Sequence, residues 1–279
     1  MKRDYERLPI EEFGRQLIVT KDLDPVYVAL TDSRFDRLLK SRWLVAYWCF
    51  YDVGVACWMS EFEDQEFWNR MSIAARNLEP APPGGRWARG RERRHFRGQA
   101  SVNAIEGLSR RYPVPEDFVA YLSKGKTCQG VMELAKEHYL FGNWISFKIA
   151  DMLERVLNVP VNFTEAEVLM FKEPREAALR LYKEKARLPE SAVLKDPERA
   201  VSDVVQYLLE RFQVFEAPPH PGRMIGIQEI ETILCKWKSH MNGFYPVGND
   251  TLEAKETIEP WVHTSKVATA FMQSIPNEK

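Results

Sequence analysis

"DSRFDRLLKSRWLVAYWCFYDVGVACWMSE", residues 32–61, places apolar side chains three and four positions apart over most of its length. This spacing is that of an α-helix rather than the alternation of a strand. It predicts one or two helices that begin at a cap on Asp32 or Ser33. The part from Trp43 to Met59 is at the lower length limit for a membrane span and has Asp52 near its middle, so a buried core helix is the better interpretation.

The same spacing recurs along the chain, and strand signals are few. "DQEFWNRMSIAARNL" (64–78) predicts a helix with Phe67, Met71 and Ala74 or Ala75 on one face. "DPERAVSDVVQYLLERF" (196–212) predicts another that starts at Pro197 and carries an apolar stripe of Val201, Val204, Val205 and Leu208. We therefore expect a mainly α protein with one domain over residues 1–279. Its core spans about 30–245, an N-terminal arm (1–29) is peripheral, and a polar tail (249–279) is partly extended or ordered only by docking.

Composition limits the function classes. The formal net charge is −1, with 45% hydrophobic and 28% charged residues, so any polyanion must be met by a local basic patch rather than by a global field. The four cysteines form no CxxC pair and the histidines have no metal-ligand spacing. No metal and no cofactor are predicted, and a reducing cytosol without a secretory signal is the expected compartment. The sequence carries no signal for an oligomeric state.

The strongest local charge is "RGRERRHFRG" (89–98), which surrounds His95 with arginines and holds a single acid, Glu92. Guanidinium groups bind phosphate in a fixed two-pronged geometry and keep their charge, so phosphate is the natural target. The alternative is a solvated basic loop, or arginines paired with acids elsewhere in the chain. Surrounded by cations, an accessible His95 tends to be neutral and is able to accept a proton or bond a phosphate oxygen. The predicted phosphate-binding arginines are Arg89, Arg91, Arg93, Arg94 and Arg97.

A second candidate segment is "FGNWISFKIADMLERVLNVPVNF" (141–163), with a glycine-containing turn, a helix expected to open on Ser146, and an extended end. Its outline resembles the helix-hairpin-helix DNA glycosylases, in which turn amides and a helix N-terminus hold a DNA phosphate. The resemblance implies DNA contacts from Gly142, Asn143, Ser146 and Lys148. The alternative is an ordinary helical hairpin with Trp144 and Phe147 in the core.

Asn162 stands where that glycosylase superfamily has its supporting aspartate. A neutral amide neither deprotonates a nucleophile nor balances an oxocarbenium charge, so the substitution argues against base excision. A glycosylase or lyase that uses Lys148 with Asp151 is retained as an alternative.

The aromatic part of residues 43–52 supplies enough rings to wall a pocket for an extruded base. Most of these rings are expected in the core. Tyr47 and Tyr51, four positions apart, are the ones placed to present polar tips to a ligand. The predicted base pocket consists of Tyr47, Trp48, Tyr51 and Asn162.

Taken together, "YWCFYDVGVACWMSE" (47–61), Phe67 with Trp68, "AARN" (74–77) and "RWARGRERRHFRG" (86–98) resemble the phage amino acid:DNA transferases, also called alpha-glutamyl/putrescinyl thymine pyrophosphorylases. The similarity runs from about residue 30 to 240. It implies a glycosylase-like helical fold that no longer excises a base, in agreement with Asn162. The substrates it implies are DNA containing pyrophosphorylated hydroxymethyluracil and a free amine, such as glycine or another amino acid, that displaces pyrophosphate.

For such a reaction, preorganised arginines stabilise the charge that develops on the leaving pyrophosphate. The attacking amine must be unprotonated, so a general base is required or the free amine must be selected. The candidate bases are His95, Glu92, Asp52 and Glu61. One arginine of the run, or Arg110, is the candidate for holding the carboxylate of the amino acid. A non-catalytic helical DNA-binding protein is the third alternative.

Overall fold

The computed structural model describes residues 3–164 and 170–276. These residues form fourteen α-helices and no strand, which confirms the mainly α prediction. The helices are α1 (Ile10–Val19), α2 (Pro25–Leu30), α3 (Arg37–Phe50), α4 (Val53–Met59), α5 (Asp64–Arg76), α6 (Gly98–Arg111), α7 (Pro115–Leu122), α8 (Cys128–Lys136), α9 (Asn143–Leu157), α10 (Lys172–Lys185), α11 (Pro197–Phe212), α12 (Ile227–Met241), α13 (Asn249–Ile258) and α14 (Lys266–Ser274). Short 3₁₀ turns lie at Arg91–Arg93 and Glu259–Trp261. None of the helices within the described residues is both long and apolar enough to cross a lipid bilayer.

By contacts between Cα atoms the chain divides into two compact units. The first comprises the described residues of Met1–Pro25, Phe163–Thr251 and Pro276–Lys279. Its core is formed by α1, α10, α11 and α12, and the predicted Val201, Val204, Val205 and Leu208 stripe of α11 is buried there. Ile10 and Phe13 of α1 belong to the same core, so the N-terminal segment is not a peripheral arm.

The second unit comprises Val26–Asn162 and Leu252–Ile275. Here α3 packs against α4, α7 and α9, α5 packs against α6, and α8 packs against α9. Phe67, Met71, Ala74 and Ala75 of α5 are buried, as predicted. The likeness to helix-hairpin-helix glycosylases stays a prediction, because a packed pair of helices does not by itself establish it.

The apolar stretch of residues 37–59 forms two helices because the chain turns at Tyr51, which adopts left-handed backbone angles (φ 52°) at the end of α3. Asp36 caps α3 through a bond from the Leu39 amide, in place of the predicted Ser33 or Asp32. Asp52 caps α4 in the same way through the Val55 amide. The interpretation of this stretch as core is confirmed, since Trp43, Trp48 and Phe50 have no exposed surface.

The C-terminal segment is helical from Asn249 rather than extended. In α14 the Phe271 ring is fully buried and stacks on Trp43 at 5.6 Å between ring centroids. The sequence does not predict helices in this segment because its apolar residues are few and lie in short stretches. Only the packing of α14 onto α3 shows that these residues are buried.

Candidate active site

The arginine loop (residues 89–98) is fixed to the end of α3 by Gly90. The Gly90 amide donates a hydrogen bond to the Phe50 carbonyl at 2.9 Å. A Cβ at Gly90 would lie 2.3 Å from the Tyr51 carbonyl oxygen, closer than real Cβ atoms approach. Only glycine therefore allows the loop backbone to lie against Phe50 and Tyr51. The basic run and the aromatic helix, far apart in sequence, are neighbours in the fold.

Two of the predicted phosphate-binding arginines point into the protein. Arg89 donates to three backbone carbonyls, those of Phe96 (2.7 Å), Trp87 (3.0 Å) and Ala74 (3.1 Å). Burial, followed by the charge of Arg97, lowers the pKa of Arg89 to about 10. Arg89 therefore holds the loop in shape, and its predicted contact with phosphate is corrected to a structural role.

Arg93 is more deeply placed, with 1% of its surface exposed. Its Nε donates to the Cys49 carbonyl at 3.2 Å and its Nη1 to the Leu140 carbonyl at 2.7 Å. Burial lowers the pKa of Arg93 to about 10, so it stays charged at neutral pH. Arg93 ties the loop to α3 and to the turn before α9, and like Arg89 it points into the protein rather than into solvent.

The remaining members of the loop face solvent. Arg91, Arg94 and Arg97 are exposed, and within residues 3–164 and 170–276 none of them pairs with a carboxylate. Other exposed arginines, such as Arg15 and Arg76, do have acidic partners. The described residues therefore do not support the alternative in which acids elsewhere in the chain neutralise the arginine run. Three fixed cations are left for an external anion.

Glu92 and His95 are exposed in the same loop. The His95 Nε2 lies 3.4 Å from Nη1 of Arg93, a long contact for a hydrogen bond. Partial burial of the ring and the charges of Arg93 and Arg94 lower the pKa of His95. The imidazole is therefore neutral at pH 7 and able to accept a proton, as the sequence predicts.

A column of stacked rings runs along α3 to the arginine loop. Trp43 stacks on Tyr47 (4.6 Å), Tyr47 stacks on Tyr51 (4.4 Å), and Tyr51 meets Trp144 of α9 edge-on at 4.8 Å. Tyr51 and Trp144 are half-buried at the accessible end of this column. Trp48, predicted for the base pocket, is instead fully buried and packs edge-on against Phe118.

The two other candidate bases are bound into the scaffold. Glu61 accepts hydrogen bonds from the Ser265 hydroxyl (2.6 Å) and the Val267 amide (3.0 Å), at the start of α14. Asp52 is 8% exposed and accepts from the Val55 amide at 2.9 Å. Burial raises the pKa of Asp52 to about 6. Glu61 thus acts as a helix cap, whereas Asp52 combines a capping role with a raised pKa.

The turn before α9 differs in detail from the prediction. The helix starts at Asn143, with Gly142 as an extended N-cap, and not at Ser146. Gly142 and Asn143 are exposed, but Ser146 is fully buried, and its hydroxyl has no hydrogen-bond partner among the described residues. Of these three residues, only Gly142 and Asn143 are exposed to a phosphate that approaches from solvent.

Lys148 lies in a cluster of charges on α9. Its Nζ is 3.7 Å from Asp151, which also lies 3.7 Å from Arg155 and accepts a hydrogen bond from the Tyr27 hydroxyl at 2.8 Å. Asp151 and Arg155 are fully buried. The carboxylate of Asp151 is therefore shared between cations and a hydroxyl inside the fold.

Asn162 is exposed, and its backbone bridges to the segment before α8: its amide donates to Lys126 and its carbonyl accepts from Cys128. Arg110 lies in the last turn of α6, where its Nε donates to the Glu106 carbonyl. The contacts of neither residue bring it to the arginine loop.

Sequence reasoning missed Trp144 and the role of Gly90. Trp144 is described above as a possible core ring, and its contact with Tyr51 depends on how α9 packs on α3. Gly90 lies within the basic run, where the sequence alone predicts no role for it. The signal was present in the alternation of glycine with arginine, but the contact that requires glycine is visible only in the structure.

Comparison with known proteins identifies the family of the chain. The full chain is 46% identical to a glycinyltransferase of Pseudomonas phage PaMx11, over an alignment of 289 positions that covers 99% of both proteins. It is 24% identical to a putrescinyltransferase of Delftia phage PhiW-14, over 92% of this chain and 80% of that protein. Residues 9–244 match the family described as Amino acid:DNA transferase. The chain belongs to the amino acid:DNA transferase family and is an enzyme that transfers an amino acid or amine to DNA.

Proposed function

We propose that this enzyme transfers glycine to pyrophosphorylated hydroxymethyluracil in phage DNA, inside an infected bacterial cell. The observation that carries the choice of glycine is the 46% identity over the full chain to a glycinyltransferase, against 24% to a putrescinyltransferase. The exposed, unpaired arginines beside an aromatic column support the choice of a base bearing a diphosphate.

In the proposed step the glycine nitrogen attacks the methylene carbon attached to the uracil ring. A C–N bond forms and the C–O bond to the diphosphate breaks, with its electron pair leaving on the pyrophosphate oxygen. The nitrogen then loses one proton to a base. The products are a uracil in the DNA whose methylene carbon is bonded to the glycine nitrogen, with the glycine carboxylate left free, and pyrophosphate.

Arg91, Arg94 and Arg97 serve as the pyrophosphate clamp in this proposal. Pyrophosphate carries several negative charges, so several cations are needed to stabilise the charge that builds on the bridging oxygen. The three residues belong to one loop whose backbone is held by Gly90, Arg89 and Arg93. Because the loop is already ordered by these bonds, the cations need little reorganisation when the bond to oxygen breaks.

The modified base would be drawn from the duplex and lie against Tyr51 and Trp144, the half-buried rings at the end of the aromatic column. Aromatic faces bind any base by stacking and so tolerate a modified one. Gly142 and Asn143, exposed at the start of α9, would hold a DNA phosphate at the same place.

His95 is the residue we propose as the general base. It is exposed, it belongs to the arginine loop, and its lowered pKa keeps it neutral at pH 7. Asp52 is largely enclosed and bonded to the start of α4, and Glu61 is bonded to the start of α14. Glu92 is exposed in the same loop and remains the alternative base.

The test is nucleoside analysis. The purified protein is incubated with DNA carrying pyrophosphorylated hydroxymethyluracil and, separately, with glycine, serine, lysine or putrescine, and the digested nucleosides are measured by mass spectrometry. We expect a glycyl nucleoside and one pyrophosphate released for each residue modified. DNA with unphosphorylated hydroxymethyluracil is the control and should give no product. Transfer of putrescine but not glycine, or transfer without pyrophosphate release, would contradict the proposal.

A further inference from the structure

Arg93 is a buried cation without an acidic partner. No carboxylate among residues 3–164 and 170–276 forms an ion pair with it, and its hydrogen-bonded neighbours are the carbonyls of Cys49 and Leu140 and the ring of His95. The faces of Phe96 and Phe141 lie 4.6 and 5.3 Å from its guanidinium carbon. A charge enclosed by carbonyls and rings is costly unless a counter-ion reaches it.

The guanidinium is also incompletely bonded. Its Nη2 is buried and has no hydrogen-bond partner among the described residues, although Nε and Nη1 both donate to carbonyls. Arg89, in the same loop, makes the contrast clear, because its Nε, Nη1 and Nη2 all have carbonyl acceptors. A structural role of the kind Arg89 has would not leave one nitrogen of Arg93 unused.

We infer that Arg93 is the receptor for the carboxylate of the incoming amino acid, a role that rests on the proposed function. The carboxylate would take the position of the His95 ring, whose contact with Nη1 is long at 3.4 Å, and would bond Nη1 together with the free Nη2. His95 is exposed and so is able to move aside. It would then lie beside the amino group of the bound amino acid, from which it takes the proton.

Charge favours a carboxylate over pyrophosphate at this position. One enclosed guanidinium balances one negative charge, as in a bidentate arginine–carboxylate pair. The several charges of pyrophosphate match the exposed Arg91, Arg94 and Arg97 instead. The inference makes Arg93 a specificity-determining residue, since an amine without a carboxylate would leave it unpaired.

The experiment compares glycine with methylamine, which is glycine without its carboxylate, as substrates of Arg93→Lys and of the matched control Arg89→Lys. We expect Arg93→Lys to raise the KM for glycine by about 10- to 100-fold, while methylamine transfer changes no more than in Arg89→Lys. Retained methylamine transfer also shows that the variant is folded. Equal losses of glycine and methylamine transfer in Arg93→Lys would make Arg93 purely structural and overturn the inference.

Inhibition by inorganic pyrophosphate is measured in parallel. An unchanged inhibition constant in Arg93→Lys supports the inference, whereas an increased constant with an unchanged KM for glycine assigns Arg93 to the diphosphate and overturns it. If Arg93→Lys does not fold, amide hydrogen exchange of the unsubstituted protein is measured instead, with glycine and with methylamine. Glycine but not methylamine should then slow exchange in peptides covering residues 89–97, and absence of that protection contradicts the inference.

The two proposals fail differently. If the unsubstituted protein rejects glycine but transfers another amino acid, the choice of glycine is wrong and the same comparison is run with that amino acid and its decarboxylated amine. If it transfers only amines that lack a carboxylate, both proposals are contradicted.

Discussion

The arginine loop and the charged cluster of α9 both bring several ionisable side chains together, but only the cluster contains its own counter-charge. Asp151 lies 3.7 Å from each of Lys148 and Arg155 and bonds Tyr27. In the loop, Arg91, Arg94 and Arg97 have no acid paired with them among the described residues. Charges that are satisfied inside the fold stabilise it, whereas fixed charges left without a partner are available to a ligand. The difference supports a structural role for the charged cluster of α9 and underlies the catalytic role that we propose for the loop.

The largest effect is expected in the loop. Arg91→Ala, Arg94→Ala and Arg97→Ala in one protein should reduce kcat/KM for amino acid transfer by about 1000-fold or more, because each removes charge stabilisation from the transition state. Stability should change little, since the three side chains are exposed and unpaired. The matched control replaces Arg15, Arg70 and Arg180 by alanine, all exposed or half-buried and each paired within its own helix. Equal kcat/KM in the two triple variants would contradict a catalytic role for the loop arginines.

A substitution in the charged cluster of α9 should instead lower the stability of the protein. Asp151→Asn removes the shared carboxylate from buried Arg155 and from Lys148, and we expect a loss of about 3 kcal/mol in the free energy of unfolding. Urea denaturation measures it. Borohydride trapping on abasic DNA should give no adduct at Lys148 in the unsubstituted protein. A trapped adduct, or an Asp151→Asn variant of unchanged stability without activity, would favour the lyase alternative and give the cluster a catalytic role.

Gly90→Ala tests the position of the loop, because it moves the loop without removing a charge. The added Cβ would collide with the Tyr51 carbonyl at 2.3 Å, so loop and aromatic column must separate. We expect transfer activity to fall by about 100-fold, in keeping with the cost of small displacements in an active site. Gly107→Ala, at an α6 position with open space around it, is the control. Full activity in Gly90→Ala would mean that the position of the loop against Tyr51 does not matter.

The smallest expected effect on stability concerns Asp52. Its pKa is raised from 3.8 to about 6 by burial, so the wild-type protein loses stability as the pH rises through this range. Asp52→Asn keeps a capping acceptor and should stabilise the protein by about 2 kcal/mol at pH 7.5. The gain should vanish below about pH 4. Urea denaturation at the two pH values checks this.

Activity distinguishes Asp52 from His95. His95→Gln should lower kcat by about 100-fold or more, as expected for a general base, while Asp52→Asn should stay within about tenfold of the wild type. The reverse order, with the acidic limb of the pH–rate profile abolished in Asp52→Asn, would make Asp52 the base.

Sequence patterns predicted the helical class and the buried faces of α5 and α11, because a regular apolar spacing is a local property. They also located the arginine loop, whose composition alone separates it from the rest of a nearly neutral chain. Sequence patterns could not show that Arg89 and Arg93 point into the protein while the neighbouring arginines face solvent. Arginines of one run look alike in sequence, and only the folded backbone, with its 3₁₀ turn at Arg91–Arg93, sets the direction of each side chain.

Tertiary contacts explain the other differences. Trp48 resembles Tyr47 and Tyr51 in sequence, yet it packs against Phe118 of α7, whereas Tyr47 stacks on Tyr51 and Tyr51 contacts Trp144 of α9. Glu61 resembles any acidic residue near an aromatic helix until α14 packs against it. The start of α9 was placed three residues late because Gly142, read as part of a turn, serves as its N-cap.

The central claim is that the exposed arginines of the loop hold the leaving pyrophosphate. The most direct measurement is the inhibition constant of inorganic pyrophosphate, compared between the wild type and the Arg91→Ala, Arg94→Ala, Arg97→Ala variant, alongside the affinity of each for unmodified duplex DNA. We expect inhibition by pyrophosphate to weaken by about 100-fold and the affinity for unmodified DNA to fall much less. An unchanged inhibition constant with a large loss of DNA affinity would contradict it.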